Sequence, residues 1–124
     1  MRLHHAFYTV PAARVGELRH FYGEILGLPE IAKSSALADL DLVWFAVGED
    51  HLHFGLDDSW DRGHPAHHIA LWYEDVRPVL ERLRGAGREI SELPSFPDYQ
   101  YRRYYTDDPF GRRVEMVTPL EAPV

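Results

Sequence analysis

The 124-residue chain carries 20 acidic against 13 basic side chains, a formal net charge of −7, so its long-range field repels nucleic acid and anionic lipid and neither is an expected partner. Its 45% hydrophobic and 27% charged residues are ordinary globular composition, enough for one domain that hides about two-thirds of its unfolded surface. No apolar run approaches the roughly 20 residues that cross a bilayer. Cysteine is absent, which excludes disulfides, thiolate zinc ligands and cysteine nucleophiles. Met1-Arg2-Leu3-His4-His5 has no signal-peptide h-region, and together these features point to a cytoplasmic protein.

The segment His5 to Val10, aromatic and β-branched and stopped by Pro11, reads as a first strand. From Ala12 to Leu26 the apolar residues Val15, Leu18, Phe21, Tyr22, Ile25 and Leu26 fall at the three-and-four spacing of an amphipathic helix, with Gly27 as its stop. Glu30 to Ala38 suits a short strand or a loop. Strands are expected at Leu42 to Val47 and Leu52 to Leu56, around a hairpin turn at Gly48-Glu49-Asp50. Asp57 to Ala66, with Asp, Gly and Pro and no periodicity, is the natural linker.

A strand over His68 to Tyr73 follows. Asp75 then caps a helix with Val76, Val79, Leu80 and Leu83 on its apolar face, ending near Gly85-Ala86-Gly87, and Pro78 falls in its first turn, where no intrahelical donor is needed. Further strands are expected near Glu89 to Leu93, Arg102 to Thr106 and Arg113 to Thr118. Pro94, Pro97 and Asp98 mark a loop before the second of these, and Asp107-Asp108-Pro109-Phe110-Gly111 makes the turn before the last.

The order strand, helix, two or three strands, linker, and the same again is an internal repeat. His5 and His68 open matching strands 63 residues apart, and His53 and Glu115 lie in matching final strands 62 apart. The expected organisation is a single domain over 1–124: module one at 1–57, a linker at 58–66, module two at 67–119 and a tail at 120–124. Each module would turn one sheet face to its helix and the other to a cavity.

Side chains alternate across a strand. His5, Phe7 and Thr9 share a face, as do His51, His53 and Gly55, then His68, Ala70 and Trp72, and finally Arg113, Glu115 and Val117. If the more apolar faces cover the helices, His5, His53, His68 and Glu115 point the other way, each from an equivalent place. Three imidazoles and a carboxylate without thiolate suit one divalent ion: Fe, Ni, Zn, Co or Mn.

These residues also carry a family resemblance. His5-Ala6-Phe7-Tyr8-Thr9-Val10-Pro11, Phe21-Tyr22 before Leu26-Gly27-Leu28, Leu52-His53-Phe54-Gly55, His68-Ile69-Ala70-Leu71 leading to Asp75, and Tyr105 with Asp108-Pro109-Phe110-Gly111-Arg112-Arg113-Val114-Glu115 resemble the vicinal oxygen chelate superfamily, the glyoxalase/bleomycin-resistance/dioxygenase fold, over roughly His5 to Pro119. The resemblance implies an α+β fold of two βαβββ modules, a curved, mixed eight-stranded sheet around a cavity. It implies metal ligands at His5, His53, His68 and Glu115, favouring His5 over His4 and His68 over His67. It also implies a homodimer, in which sites can be shared between chains.

The implied activity is that of a metal-dependent lyase, isomerase or dioxygenase-type enzyme acting on a small substrate with two adjacent oxygens. His53, Glu115 and Tyr105 are its candidate catalytic residues, and Trp44, Trp72, Phe7, Arg103 and Tyr105 its candidate substrate contacts, with an aromatic substrate in view. The sequence departs from glyoxalase I, which usually has a carboxylate or amide at the position of His53. It has two modules where full extradiol dioxygenases usually have four, and the basic phosphonate site of fosfomycin-resistance transferases is not found. The competing reading is a metal-free small-molecule binding or antibiotic-sequestering protein of the bleomycin-resistance type. A third is an accessory subunit with a vestigial site. His51 shares the face of His53 and could replace it, while His4, His20, His64 and His67 read as surface or packed residues, and Gly48, Gly55 and Gly111 as turn glycines.

Overall fold

The computed structural model describes residues 1–96 and 98–123; Pro97, expected to mark a loop, and Val124, the end of the expected tail, lie outside the described residues. The chain divides by its internal contacts into two compact units, Met1–Asp61 and Arg62–Val124, each holding one four-stranded mixed sheet.

In the first unit β1 (His5–Val10) leads through a 3₁₀ turn at Ala12–Arg14 into α1 (Val15–Leu18), which continues as a π-helical stretch over Arg19–Ile25. Then come β2 (Glu30–Ile31), a 3₁₀ turn at Ser35–Leu37, β3 (Leu42–Val47) and β4 (Asp50–Leu56). The sheet order is β1-β4-β3-β2, with β1 parallel to β4 and the other pairs antiparallel. The expected helix is present but not α-helical throughout. Leu26 N–H reaches back five residues to Phe21 O at 2.9 Å, a widening of the turn that lets the neighbouring pairs Phe21-Tyr22 and Ile25-Leu26 all be buried. Tyr22 meets Phe45 and Phe54, the Tyr22 and Phe54 rings 4.7 Å apart, and Leu52 is buried on the same strand face as Phe54. β4 starts two residues earlier than its apolar pattern does, because Val47 pairs with Asp50 around a two-residue turn whose first position, Gly48, has φ +58°, as a II′ hairpin requires.

The second unit repeats the plan. β5 (His68–Trp72) is followed by α2 (Arg77–Gly85), β6 (Ser91–Leu93), β7 (Tyr101–Asp107) and β8 (Arg113–Pro119), in the order β5-β8-β7-β6 with β5 parallel to β8. Asp75 caps α2 from one residue further out than expected, accepting from Arg77 N–H at 3.1 Å and from the Arg77 guanidinium. Val79, Leu80 and Leu83 of α2 are buried, as are Leu71, Tyr104, Val114 and Met116 of the sheet. β6 is shorter than its sequence pattern, since Glu89 O accepts instead from the Thr106 hydroxyl.

The turn from β7 to β8 is built on Asp108. Its buried carboxylate accepts from Phe110 N–H and Arg112 N–H, both at 2.8 Å, while its own N–H donates to Arg112 O at 2.7 Å. That closed turn sets the register in which Tyr105 pairs with Glu115 and Arg103 with Val117. Among the described residues no helix is long and apolar enough to cross a membrane.

Candidate metal and substrate site

In the first unit the pairing of β1 with β4 and of β3 with β4 sets Phe7 and Trp44 on either side of His53, so these three share the sheet face opposite the Phe45–Leu52–Phe54 core by alternation. His53 is the middle of a stack: the Trp44 ring lies 3.9 Å away at 5°, and the His5 ring 4.4 Å away at 19°. Only 6% of His53 is exposed. Desolvation first, then the neighbouring His5, His51 and His4, pushes its pKa from 6.5 down to about 4, so at neutral pH it is an uncharged imidazole with a lone pair to give. His51 Nδ1 lies 3.2 Å from His53 Nε2, and His4 Nδ1 lies 2.8 Å from His5 Nδ1.

Two further features mark this face. Trp44 Nε1 is buried without a partner, a donor without an acceptor and therefore a cost unless a ligand supplies one. Gly55 is no turn glycine: it lies inside β4, and a Cβ there would meet the Phe7 ring at 2.8 Å. The bare strand at Gly55 is what leaves room for the tip of the Phe7 ring.

In the second unit His68 Nδ1 lies 2.9 Å from Ala66 O. A carbonyl oxygen only accepts, so Nδ1 carries the hydrogen and Nε2 is directed elsewhere. It faces Glu115 Oε2 at 3.1 Å. Two acceptors at that distance repel unless a cation, a proton or a metal ion, joins them, and ligand atoms about 2.0–2.2 Å from one ion are separated by about this much. An imidazole fixed through Nδ1–H to a backbone carbonyl is the arrangement metal-ligating histidines ordinarily have.

The linker is shaped to hold that carbonyl. Ala66 N–H donates to His64 Nδ1 at 3.0 Å, and His67 N–H to His64 O at 3.0 Å. Tyr105 packs beside His68, ring centroids 5.5 Å apart, and has the Arg113 guanidinium over its other neighbourhood at 4.4 Å. Arg103 Nη1 stands 3.8 Å from Glu115 Oε1. A cavity of about 470 Å³ opens beside Tyr105 and Arg113, but neither His68 nor Glu115 lines it, so volume alone does not mark the chemistry.

A profile of the Glyoxalase/Bleomycin resistance protein/Dioxygenase superfamily matches residues 2–116. The chain belongs to that superfamily. No curated protein sequence matches it significantly. Among solved structures it is similar to a glyoxalase family protein from Bacillus anthracis, with 27% identity, 96% of this chain and 95% of that chain covered, and a TM-score of 0.83. A glyoxalase/dioxygenase from Nostoc punctiforme shares 22% identity over 97% and 92% of the two chains, TM-score 0.79. A genomically encoded fosfomycin resistance protein from Listeria monocytogenes shares 19% over 98% and 95%, TM-score 0.74.

Within this glyoxalase-superfamily chain the structure brings the expected site residues together in two groups, His5 with His53, Trp44 and Phe7, and His68 with Glu115, Tyr105 and Arg103. Trp72 is drawn to Tyr101, ring centroids 6.4 Å apart, and its indole N–H donates to Glu74. Among the described residues no three His, Asp or Glu side chains are already gathered in a way that would hold a metal ion. Sequence reasoning set His4 aside, yet it touches His5. Its signal was faint because it precedes β1 and takes no part in the strand alternation. Phe96 was also missed, an exposed ring in an irregular segment, within 5.9 Å of the Arg103 guanidinium.

Proposed function

We propose that this protein is a divalent-metal-dependent enzyme acting on a small substrate that offers two adjacent oxygens, with His5 and His53 from the first unit and His68 and Glu115 from the second as the ligand set. The observation that carries this reading is His68, its Nδ1–H committed to Ala66 O and its Nε2 facing the Glu115 carboxylate at 3.1 Å. The donor set fits a borderline ion, Fe, Ni, Zn, Co or Mn, since it has three imidazoles, one carboxylate and no thiolate. Such an ion, when bound, supplies Lewis acidity to the paired substrate oxygens.

The protein's own residues would do the rest. His53, kept neutral by burial and by three neighbouring imidazoles, keeps its lone pair for the ion, and Glu115 is the group fit to accept a proton. Trp44 Nε1, buried and unpartnered, is a donor for a substrate oxygen. Tyr105, Phe7 and Trp72 give aromatic walls, and Arg103 a cationic contact. The ligand set is drawn from one chain or shared across a homodimer, and the protein works in the cytoplasm.

Calorimetric titration of metal-free protein with Ni²⁺, Co²⁺, Zn²⁺, Mn²⁺ and anaerobic Fe²⁺ tests the reading. Tight binding of at least one ion, lost in Glu115→Ala and in His68→Ala, is expected; no binding of any of the five refutes it. A metal-free binding protein of the bleomycin-resistance type is the second reading, favoured by the exposed rings of Phe7, Trp72 and Phe96 and by the lack of a ready three-donor group among the described residues.

A further inference from the structure

On the second unit, β7 carries Tyr101, Arg103 and Tyr105 on the face that β8 gives to Glu115 and β5 to His68 and Trp72, by register and alternation. Arg103 is the anomaly there. Its side chain is only 18% exposed, its Nε is buried with no partner, and Nη2 makes one bond, to Pro94 O at 3.2 Å. The nearest carboxylate, Glu115, stands 3.8 Å from Nη1, beyond hydrogen-bond length. A buried Nε–H that lacks an acceptor is costly unless something else completes it.

The orientation of that guanidinium is held from outside. Tyr99 lies 5.1 Å and Phe96 5.9 Å from its central carbon, within range of a cation–π attraction. Nε and Nη2 form one edge of the fork, where two parallel N–H groups match the two oxygens of a carboxylate. Nη2 has two hydrogens and Pro94 O takes one, so Nε and Nη2 together keep two uncommitted donors. Beyond it the Tyr99 ring is stacked on Tyr101 at 5.2 Å and 18°, and Tyr101 meets the half-exposed Trp72.

We propose that Arg103 is a carboxylate anchor and that the site accepts aromatic carboxylates, the acid group taken on the Nε–Nη2 edge and the ring laid along Tyr99, Tyr101 and Trp72. The proposal rests on the reading of the His68–Glu115 face as the substrate face, and it names the substrate class for that face. Charge agrees with it. The Arg103 guanidinium is cationic and a dication held by the proposed ligands would add to it, so an anion is the complementary guest.

The test is calorimetric binding to the full chain of four probes: phenylacetate, its neutral analogue 2-phenylethanol, the non-aromatic cyclohexylacetate, and phenylphosphonate. Each is run in the presence of EDTA and again after metal loading, with metal content measured on the same samples. Phenylacetate is expected to bind about tenfold tighter than 2-phenylethanol, as loss of a charge-assisted forked contact implies, and measurably tighter than cyclohexylacetate and phenylphosphonate. Arg103→Gln should abolish the acid-over-alcohol preference and leave the weak alcohol binding in place. Arg103→Lys, which keeps the charge and loses the fork, should lose most of that preference too.

Equal binding of acid and alcohol, a preference that survives in either variant, or phenylphosphonate binding best would overturn the carboxylate anchor. The probe comparison needs no variant, so it holds even if a substitution unfolds the chain. The EDTA series reads Arg103 without any metal. Absence of metal binding beside an intact acid preference would therefore sink the proposed metal enzyme and spare the anchor, and the reverse pattern would do the opposite.

Discussion

In the middle of β4 stands His53, stacked between Trp44 and His5 and held uncharged; at the matching place in β8 stands Glu115, a buried carboxylate facing His68 and, farther off, Arg103. The strand order and the parallel outer pair are the same in both units, so the backbone delivers a side chain to the same sheet position twice. What occupies it differs. At that position the first unit offers a neutral imidazole packed between aromatic rings, whereas the second offers a carboxylate and, beside it, an arginine whose Nε lacks an acceptor. A duplicated fold can thus keep its hydrogen-bonding plan and divide the chemical labour between its halves.

The largest effects are expected where the comparison is broken outright. Glu115→Ala removes the only carboxylate of the four-residue set, and titration calorimetry should show metal affinity falling by more than the roughly 100-fold that outer-shell changes cost. His53→Glu instead makes the first unit copy the second. Metal should still bind, because a carboxylate is a competent ligand. Metal-dependent turnover should fall by about 10- to 100-fold, because a second carboxylate offsets the charge through which the ion acts as a Lewis acid. Unchanged turnover would remove His53 from the chemistry.

Next in size is the support beneath Glu115. Asp108→Ala strips two buried backbone N–H groups of their acceptor, at about 1–3 kcal/mol for each group left unsatisfied. Denaturant unfolding followed by circular dichroism should show the loss. An unaltered midpoint would mean that the β7–β8 turn is held by other contacts.

The smallest expected effect is in pH dependence. The His53 pKa is about 4 in the folded chain against 6.5 for a free imidazole, so between these values the unfolded state binds more protons and stability rises with pH. In metal-free protein this contribution is fully present above about 6.5 and is lost as pH falls toward about 4. His53→Gln should flatten that limb of a melting-temperature profile. His51→Ala, which removes one of the neighbouring imidazoles, should move it only slightly upward in pKa. A limb identical in His53→Gln and the parent would assign the acid sensitivity to other groups.

Much of this was legible in the sequence because strand period is simple. His51-Leu52-His53-Phe54 alternates donor and core residue, and the alternation alone separates His53 from the side that Phe54 packs against. The offset between His5 and His68 exposed the duplication, and the Asp108–Gly111 segment announced its turn. Other features answer to tertiary contact and leave no periodic trace. The widened turn after Leu18 follows from adjacent apolar pairs competing for one face. Gly55 is explained only by the tip of the Phe7 ring pressing toward it. His4 precedes β1, so nothing in the pattern foretold its contact with His5, and Trp72 finds Glu74 and Tyr101 farther along the face it shares with His68.

The most direct measurement is X-ray absorption at the metal edge of protein purified without chelator. Scattering from about three imidazole rings, with a first shell of nitrogen and oxygen at about 2.0–2.2 Å, is the expected spectrum. No metal in the sample, or an ion surrounded by solvent oxygen with at most one ring, would contradict the joining of His5, His53, His68 and Glu115 on one ion.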